Sequence, residues 1–358
     1  MSPKLHLIRR RKSNPLKKLK RKVYIWTTLK NSHLKKRLTI GVLGAGHLGK
    51  IHLRLLNESK RYELIGFYDP DEKASKDLAE SAGYTYFSSQ QALLDACEVI
   101  DIVTPTLHHY ELAKECINQG KHIFIEKPIT HTVQEAEELV DLAIAKGVKG
   151  QVGHVERFNP AFKAVKDNLG TPMFVESHRL AEFNPRGTDV SVVLDLMIHD
   201  IDIILSVIDA PIKTISASGV AVVSQTPDIA NARIEFENGA VANLTASRIS
   251  LKNMRKLRFF QNEAYISIDF FTKKVEVVKM KDAPAEPDEF ALILQNAEGK
   301  KKQIYFDSPS VESSNAILEE LETFADAIEQ NSPPIVPLAH ATKALRVAHQ
   351  IIECFSTG

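Results

Sequence analysis

A chain of 358 residues, 44% hydrophobic and 25% charged, can bury two separate cores, and no apolar run in it is long enough to cross a bilayer. Three widely spaced cysteines (Cys97, Cys116, Cys354) without a CxxC pair exclude a zinc ribbon or a disulfide framework and point to a reducing, cytoplasmic compartment. The formal net charge of +1 hides an asymmetry: residues 1–37 hold 14 of the 46 Lys and Arg side chains and no acid, leaving 32 basic against 45 acidic residues beyond them. Such a leader suits a nucleic-acid or membrane-surface arm, an organelle-targeting peptide, a disordered extension or a start assigned too far upstream. It lacks the apolar core of a secretory signal. A disordered extension is the expectation, and the acidic remainder argues against nucleic acid as the main partner.

From Leu38 the chain alternates strand and helix. Leu38–Leu43 reads as a buried parallel strand, and Gly44-Ala45-Gly46-His47-Leu48-Gly49 then opens a helix over 47–56. Glycines in this pattern make a tight turn and let backbone N–H groups approach a pyrophosphate at the positive end of the helix. Leu64–Tyr68 is a second strand, ending at Asp69, twenty residues beyond Gly49. A carboxylate there accepts both ribose hydroxyls of an adenosine and repels a 2′-phosphate, favouring NAD over NADP. Next come a helix over 72–82, a short strand over 84–87, a strand over 99–103 and a helix over 109–118. A strand over 122–125, a helix over 133–146 and a last strand over 150–153 complete the series. Alternation of this kind means parallel strands with crossover helices.

Past Arg157 the rhythm changes. One helix is expected over 193–207, and strands over 173–180, 214–223, 230–236, 241–250, 256–261, 265–269, 275–279 and 303–306. Asn238-Gly239 is a hairpin signal between two of them. Consecutive long strands mark an open antiparallel sheet covered on one face by helices. Helices over 313–330 and 340–355 follow, with Pro333-Pro334 as a breaker. The expected division is therefore 1–37 as a basic extension, 38–156 as a dinucleotide-binding domain, 157–340 as a substrate and oligomerisation domain, and 341–358 as a C-terminal helix.

Glu126-Lys127-Pro128 stands at the carboxyl end of a sheet strand, the edge where open parallel sheets bind ligands. A partly dry lysine beside a positive nicotinamide can exchange a proton; the alternative is a surface lysine at a turn. Asp195 and His199 lie four apart and share a helix face, where the imidazole can take a hydroxyl proton and the carboxylate can orient it. Equally, they can be a helix-start carboxylate and a satisfied core histidine. Thr104-Pro105 and His109 end another strand and could line the nicotinamide ribose and ring, although any strand-to-helix turn uses such residues. Asp200 and Asp202 lack His or Cys partners at metal-ligand spacing, so no metal is expected.

Together these segments resemble the Gfo/Idh/MocA oxidoreductase family over essentially all of Leu38–Cys354. The resemblance rests on the glycine loop, Asp69, Thr104-Pro105 with His109, Glu126-Lys127-Pro128, Arg157-Phe158-Asn159-Pro160, and Asp195 through His199-Asp200-Ile201-Asp202. It implies an α/β Rossmann domain, a doubly wound parallel sheet, followed by an α+β domain with a large open, mainly antiparallel sheet. It also implies hydride transfer between nicotinamide and a carbon of a sugar or cyclitol. Lys127 and His199 then become an acid/base pair, with Asp195 positioning substrate or His199. Gly44, Gly46, His47, Leu48, Gly49, Asp69, Thr104, Pro105, His109, Glu126 and Lys127 would hold the cofactor.

The segment before Asp195, Gly187 through Leu194, departs from the glycine-rich approach common in the family. Gly153–Pro160 with Leu194–Asp202 looks most like the branch that oxidises UDP-N-acetylglucosamine at C3. A diphosphate needs cationic or amide partners, for which Arg157, Asn159, Arg179 and Arg186 are candidates. A homodimer or homotetramer is implied by the same resemblance. The alternatives are an inositol or free-hexose dehydrogenase of the family, and a non-catalytic NAD-binding regulator.

Overall fold

The computed structural model describes residues 37–184, 190–285 and 292–356. The expected basic leader and Arg186 lie outside them. The first sheet contains β1 (Leu38–Leu43), β2 (Tyr62–Tyr68), β3 (Val99–Ile102), β4 (His122–Glu126) and β5 (Gly150–Gly153), all parallel, in the order β2-β1-β3-β4-β5. Its strands are short, apolar and buried on both faces, as a parallel sheet between helix layers requires. From β1 the chain passes first to one side and then back to the other. A crevice therefore opens beyond the carboxyl ends of β1 and β3.

The crossovers are α1 (His47–Glu58), α2 (Glu72–Ala82), α3 (Gln90–Ala96), α4 (His109–Asn118) and α5 (Val133–Lys146). A capping box sets the start of α5: Thr132 accepts from Glu135 N–H while the Glu135 carboxylate accepts from Thr132 N–H. Gly147, in the left-handed region at φ 66°, ends the same helix. Two expectations change here. Residues 84–87 make only one bridge, Tyr86 to Phe67, and α3 is an additional helix, capped by Ser89.

The second sheet has nine strands: β6 (Phe174–Leu180), β7 (Ile212–Val220), β8 (Ile229–Phe236), β9 (Val241–Ser247), β10 (Met254–Gln261), β11 (Ala264–Asp269), β12 (Lys274–Asp282), β13 (Leu292–Gln295) and β14 (Lys301–Asp307). Their order is β13-β14-β12-β11-β10-β6-β9-β8-β7. Every pairing among them is antiparallel except β6 with β9. Alternate residues of β8 and β9 (Ala230, Ala232, Ile234; Ala242, Leu244, Ala246) are buried against helices, the two-residue period of a sheet covered on one face. β13 is absent from the sequence reading, as is α6 (Pro160–Lys166), started by Asn159 with Pro160 at its first turn.

The expected helix over 193–207 is broken. Val193–Met197 forms a wider π turn, with Ile198 N–H reaching Val193 O, before α7 (Ile198–Val207) continues regularly. α8 (Ala316–Glu329) packs on the parallel sheet, although the expected boundary at residue 340 assigns it to the second domain. There Phe324, Leu321 and Ala325 share a core with Ile40, Val42, Leu53 and Phe124, and Tyr62 donates to Leu321 O at 2.8 Å. α9 (Leu338–Ser356) lies against α5, α7 and β7. Among the described residues no helix is long and apolar enough to cross a membrane.

Candidate active site

The glycine loop sits at the mouth of the crevice, and its three glycines do different things. Gly44 has φ +97°, and a Cβ there would stand 2.7 Å from Val103 O, so the turn after β1 requires glycine. A Cβ on Gly49 would stand 2.1 Å from Gly44 O, so this glycine allows α1 to pack onto the loop. A Cβ on Gly46 would meet nothing within 4 Å; this glycine faces open space. Gly46 provides no side-chain cap and the first turn of α1 has no acid, which leaves amide donors for an anion. His47 is exposed on that turn and Leu48 is half-buried beneath it.

Asp69 ends β2 and its carboxylate accepts from Ala45 N–H at 2.8 Å and from Asp71 N–H at 3.0 Å. It thus fixes the glycine loop and keeps unused lone pairs for hydroxyls. Gly44, Gly46, Tyr68, Asp69, Val103, Thr104 and Pro105 line a cavity of about 570 Å³, the size of a mononucleotide site. The buried Thr104 Oγ1 has no protein partner. Open glycine, ordered carboxylate and orphaned hydroxyl together fit the adenosine and pyrophosphate of a dinucleotide.

At the carboxyl end of β4, Lys127 extends toward the π turn. Its Nζ donates to Asp195 O at 2.8 Å and lies 3.5 Å from Asp195 Oδ1. Its side chain is 19% exposed and that of Asp195 46%, so the pair borders solvent. His199 follows one turn later, with Nδ1 buried and without a partner. Burial first, and then the positive charges of Lys127 and Arg179, hold its pKa well below the ordinary histidine value. His199 is thus a neutral imidazole at neutral pH, beside an amine anchored through a backbone carbonyl. The structure brings Lys127, Asp195 and His199 together.

Several other candidates are placed differently. Glu126 is turned inward rather than toward the crevice: Oε1 lies 3.3 Å from His52 Nε2, and His52 Nδ1 lies 2.8 Å from Asp101 Oδ2. Burial alone would lower the pKa of His52, but Asp101 and Glu126 outweigh it and the pKa is raised. His109 is 1% exposed, wedged between Thr104 O at 2.8 Å and Pro128 O at 2.9 Å. Both residues brace the loops that carry Thr104 and Lys127, His109 through those two carbonyls and Glu126 by accepting from Lys127 N–H at 3.2 Å.

The diphosphate candidates need correction too. Arg179 is 3% exposed and bidentate on Asp200, with a further bond to Glu156 at 2.9 Å, so it is sealed away from substrate. Asn159 is also buried, giving its amide hydrogens to Glu156 and Phe270 O and accepting from Ala161 N–H. Arg157 donates to Asp202 at 2.7 Å and faces a groove beside α9 with His340, away from Lys127. The partners His52, Asp101, Glu156 and Asp200 are invisible to spacing arguments because they come from four different elements.

Comparison with known proteins gives the family and the fold. Residues 38–154 match a family model described as an oxidoreductase family with an NAD-binding Rossmann fold, and residues 143–267 match a GFO/IDH/MocA C-terminal domain. A UDP-N-acetylglucosamine 3-dehydrogenase of Acidithiobacillus ferrooxidans is 35% identical over 238 residues, 66% of this chain and 75% of that protein. A solved structure of that enzyme, GnnA, superposes with a TM-score of 0.80 at 29% identity, covering 90% of this chain and 98% of the other. The NAD-dependent scyllo-inositol 2-dehydrogenase of Bacillus subtilis is 29% identical over 58% of this chain and 67% of its own length.

Proposed function

Because this chain belongs to the Gfo/Idh/MocA oxidoreductase family, we propose that it is an NAD-dependent dehydrogenase for a secondary alcohol of a nucleotide sugar, with C3 of UDP-N-acetylglucosamine as the carbon oxidised. The observation that carries this reading is the Lys127 amine set on Asp195, one helix turn before His199, on a loop that His109 ties to Thr104 of the glycine-loop crevice. A bound nicotinamide supplies the hydride acceptor. Neutral His199 accepts the hydroxyl proton as the carbon–hydrogen bond breaks, and the Lys127 ammonium donates to the oxygen as negative charge develops on it. Asp195 holds Lys127 in place. In the reverse direction His199 returns the proton to the alkoxide.

The 35% identity to a UDP-N-acetylglucosamine 3-dehydrogenase supports the nucleotide-sugar choice. The carboxylate of Asp69 at the ribose end supports NAD over NADP. The second reading, oxidation of a free inositol or hexose, draws on the scyllo-inositol 2-dehydrogenase at 29% identity. A non-catalytic NAD-binding regulator has no use for an anchored amine beside a neutral imidazole. A homodimer or homotetramer, joined through the outer face of the nine-stranded sheet, belongs to the same proposal.

Purified protein supplied with NAD and a panel of UDP-sugars, inositols and free hexoses provides the test, read as NADH formation. The expected result is turnover with UDP-N-acetylglucosamine and a 3-keto product. Turnover confined to inositol or hexose replaces the first reading by the second, and no turnover with any member favours the regulator.

A further inference from the structure

Three strand ends meet at one edge of the helix-covered face. Arg255 on β10 pairs in register with Arg179 on β6, and Phe270, just after β11, donates its N–H to Arg255 O at 2.8 Å. Side chains two apart on a strand share a face, so Arg255 points to the same side as the buried Leu257 and Phe259, toward α7 and Glu156. Arg179, deeper in, is sealed by Asp200 and Glu156. Arg255 is not. Its side chain is 50% exposed, and its one ionic contact among the described residues is Glu156 Oε1 at 3.8 Å, an oxygen that already accepts from Arg179 at 2.9 Å.

Arg255 is also near the reacting groups without joining them: its charge is among those that depress the pKa of His199. Its guanidinium carbon lies 6.0 Å from the centre of the Phe271 ring, and Phe271 is 54% exposed. A forked cation with open donors beside an exposed ring suits a phosphate carried next to a flat heterocycle. Of the three arginines Arg157, Arg179 and Arg255, whose side chains are 12%, 4% and 50% exposed, the last is the most open to a ligand.

We propose that Arg255 is the substrate-binding residue that recognises the diphosphate of a nucleotide-sugar substrate, a task for which the family resemblance offered Arg157, Arg179 and Arg186. This rests on the nucleotide-sugar reading above and makes it specific: the enzyme selects its substrate by a charge that takes no part in the oxidation of the carbon. Glu156 and Arg179 are then the buried support that keeps Arg255 extended. Loss of one charge-assisted contact to phosphate weakens binding by roughly ten- to a hundredfold.

The test is calorimetric titration of the NAD-loaded full chain with UDP, in wild type and in Arg255→Gln and Arg255→Lys. The expected result is at least about tenfold weaker UDP binding in Arg255→Gln, an intermediate loss in Arg255→Lys, and NAD affinity and melting temperature unaltered in both. With UDP-N-acetylglucosamine as substrate, KM should rise by a larger factor than kcat falls. Equal UDP affinity in wild type and Arg255→Gln, with wild type still oxidising the UDP-sugar, overturns the assignment of Arg255 and leaves the nucleotide-sugar reading standing. Wild type that binds no UDP overturns both.

Discussion

In the proposed reaction Lys127 and His199 divide the work by charge state, and each division has a measurable signature. Removing the amine in Lys127→Ala, or the imidazole in His199→Gln, should lower kcat by about 10² to 10⁴-fold, the usual range for a positioned acid or base, while NAD affinity stays close to wild type. The pH dependence follows from the depressed pKa of His199. Below the ordinary histidine value of 6.5 the unfolded chain takes up a proton that the folded site refuses, so stability falls as pH drops through that range. His154, fully buried, is depressed by burial in the same direction and adds to the loss. Chemical denaturation at a series of pH values should show this loss, reduced in His199→Gln. At the other end of the cofactor site, Asp69→Ala should relax discrimination against NADP, measured as the ratio of kcat/KM for the two cofactors; an unchanged ratio removes Asp69 from that role. Lys127, Asp195 and His199 stand in local motifs, so the family resemblance could single them out where spacing alone left a structural reading open. The resemblance misplaced Arg179, Asn159 and Glu126 because the partners that bury them, Asp200, Glu156 and His52, are brought in by the fold.

Elements were legible where period and capping agree, and illegible where tertiary contacts decide. The alternating first half is readable because strand, turn glycine and amphipathic helix each leave their own pattern. The glycine loop is the sharpest case: Gly49→Ala should disturb the loop, since its Cβ would press on Gly44 O, and should weaken NAD binding more than it weakens the fold. Titration with NAD set beside a melting curve separates the two effects. The π turn at Val193–Met197 carries no such pattern. Yet it sits where Asp195 O receives the Lys127 ammonium, a place where an extra residue in a helix turn re-aims backbone groups. α8 was readable as a helix but not as part of the first sheet's core, because amphipathicity specifies a buried face without naming what covers it. Phe324→Ala, at a fully buried position against Phe124, should cost about 3–5 kcal/mol in denaturant unfolding.

At the scale of the whole molecule, two sheets of different kinds give the two halves of one reaction. The parallel sheet presents a dinucleotide crevice at its switch point, and α7, packed on the nine-stranded sheet, sets His199 within the field of both Lys127 and Arg255. The outer face of that second sheet carries Phe174, Phe260 and Tyr265, ring centres 5.8 and 5.0 Å apart, with Phe260 38% exposed. If a second copy covers this face as proposed, light scattering should return two or four times the monomer mass, and Phe260→Arg should shift it toward the monomer.

In the proposed oxidation the hydride leaves C3 and the proton leaves its hydroxyl oxygen, and isotope labelling follows the hydride directly. UDP-N-acetylglucosamine carrying deuterium at C3 should, with NAD and the wild-type chain, give reduced cofactor heavier by one mass unit and a 3-keto sugar without label, with the yield collapsing in Lys127→Ala and His199→Gln. Unlabelled reduced cofactor, or full transfer in both variants, would contradict the assignment of this chemistry to Lys127 and His199.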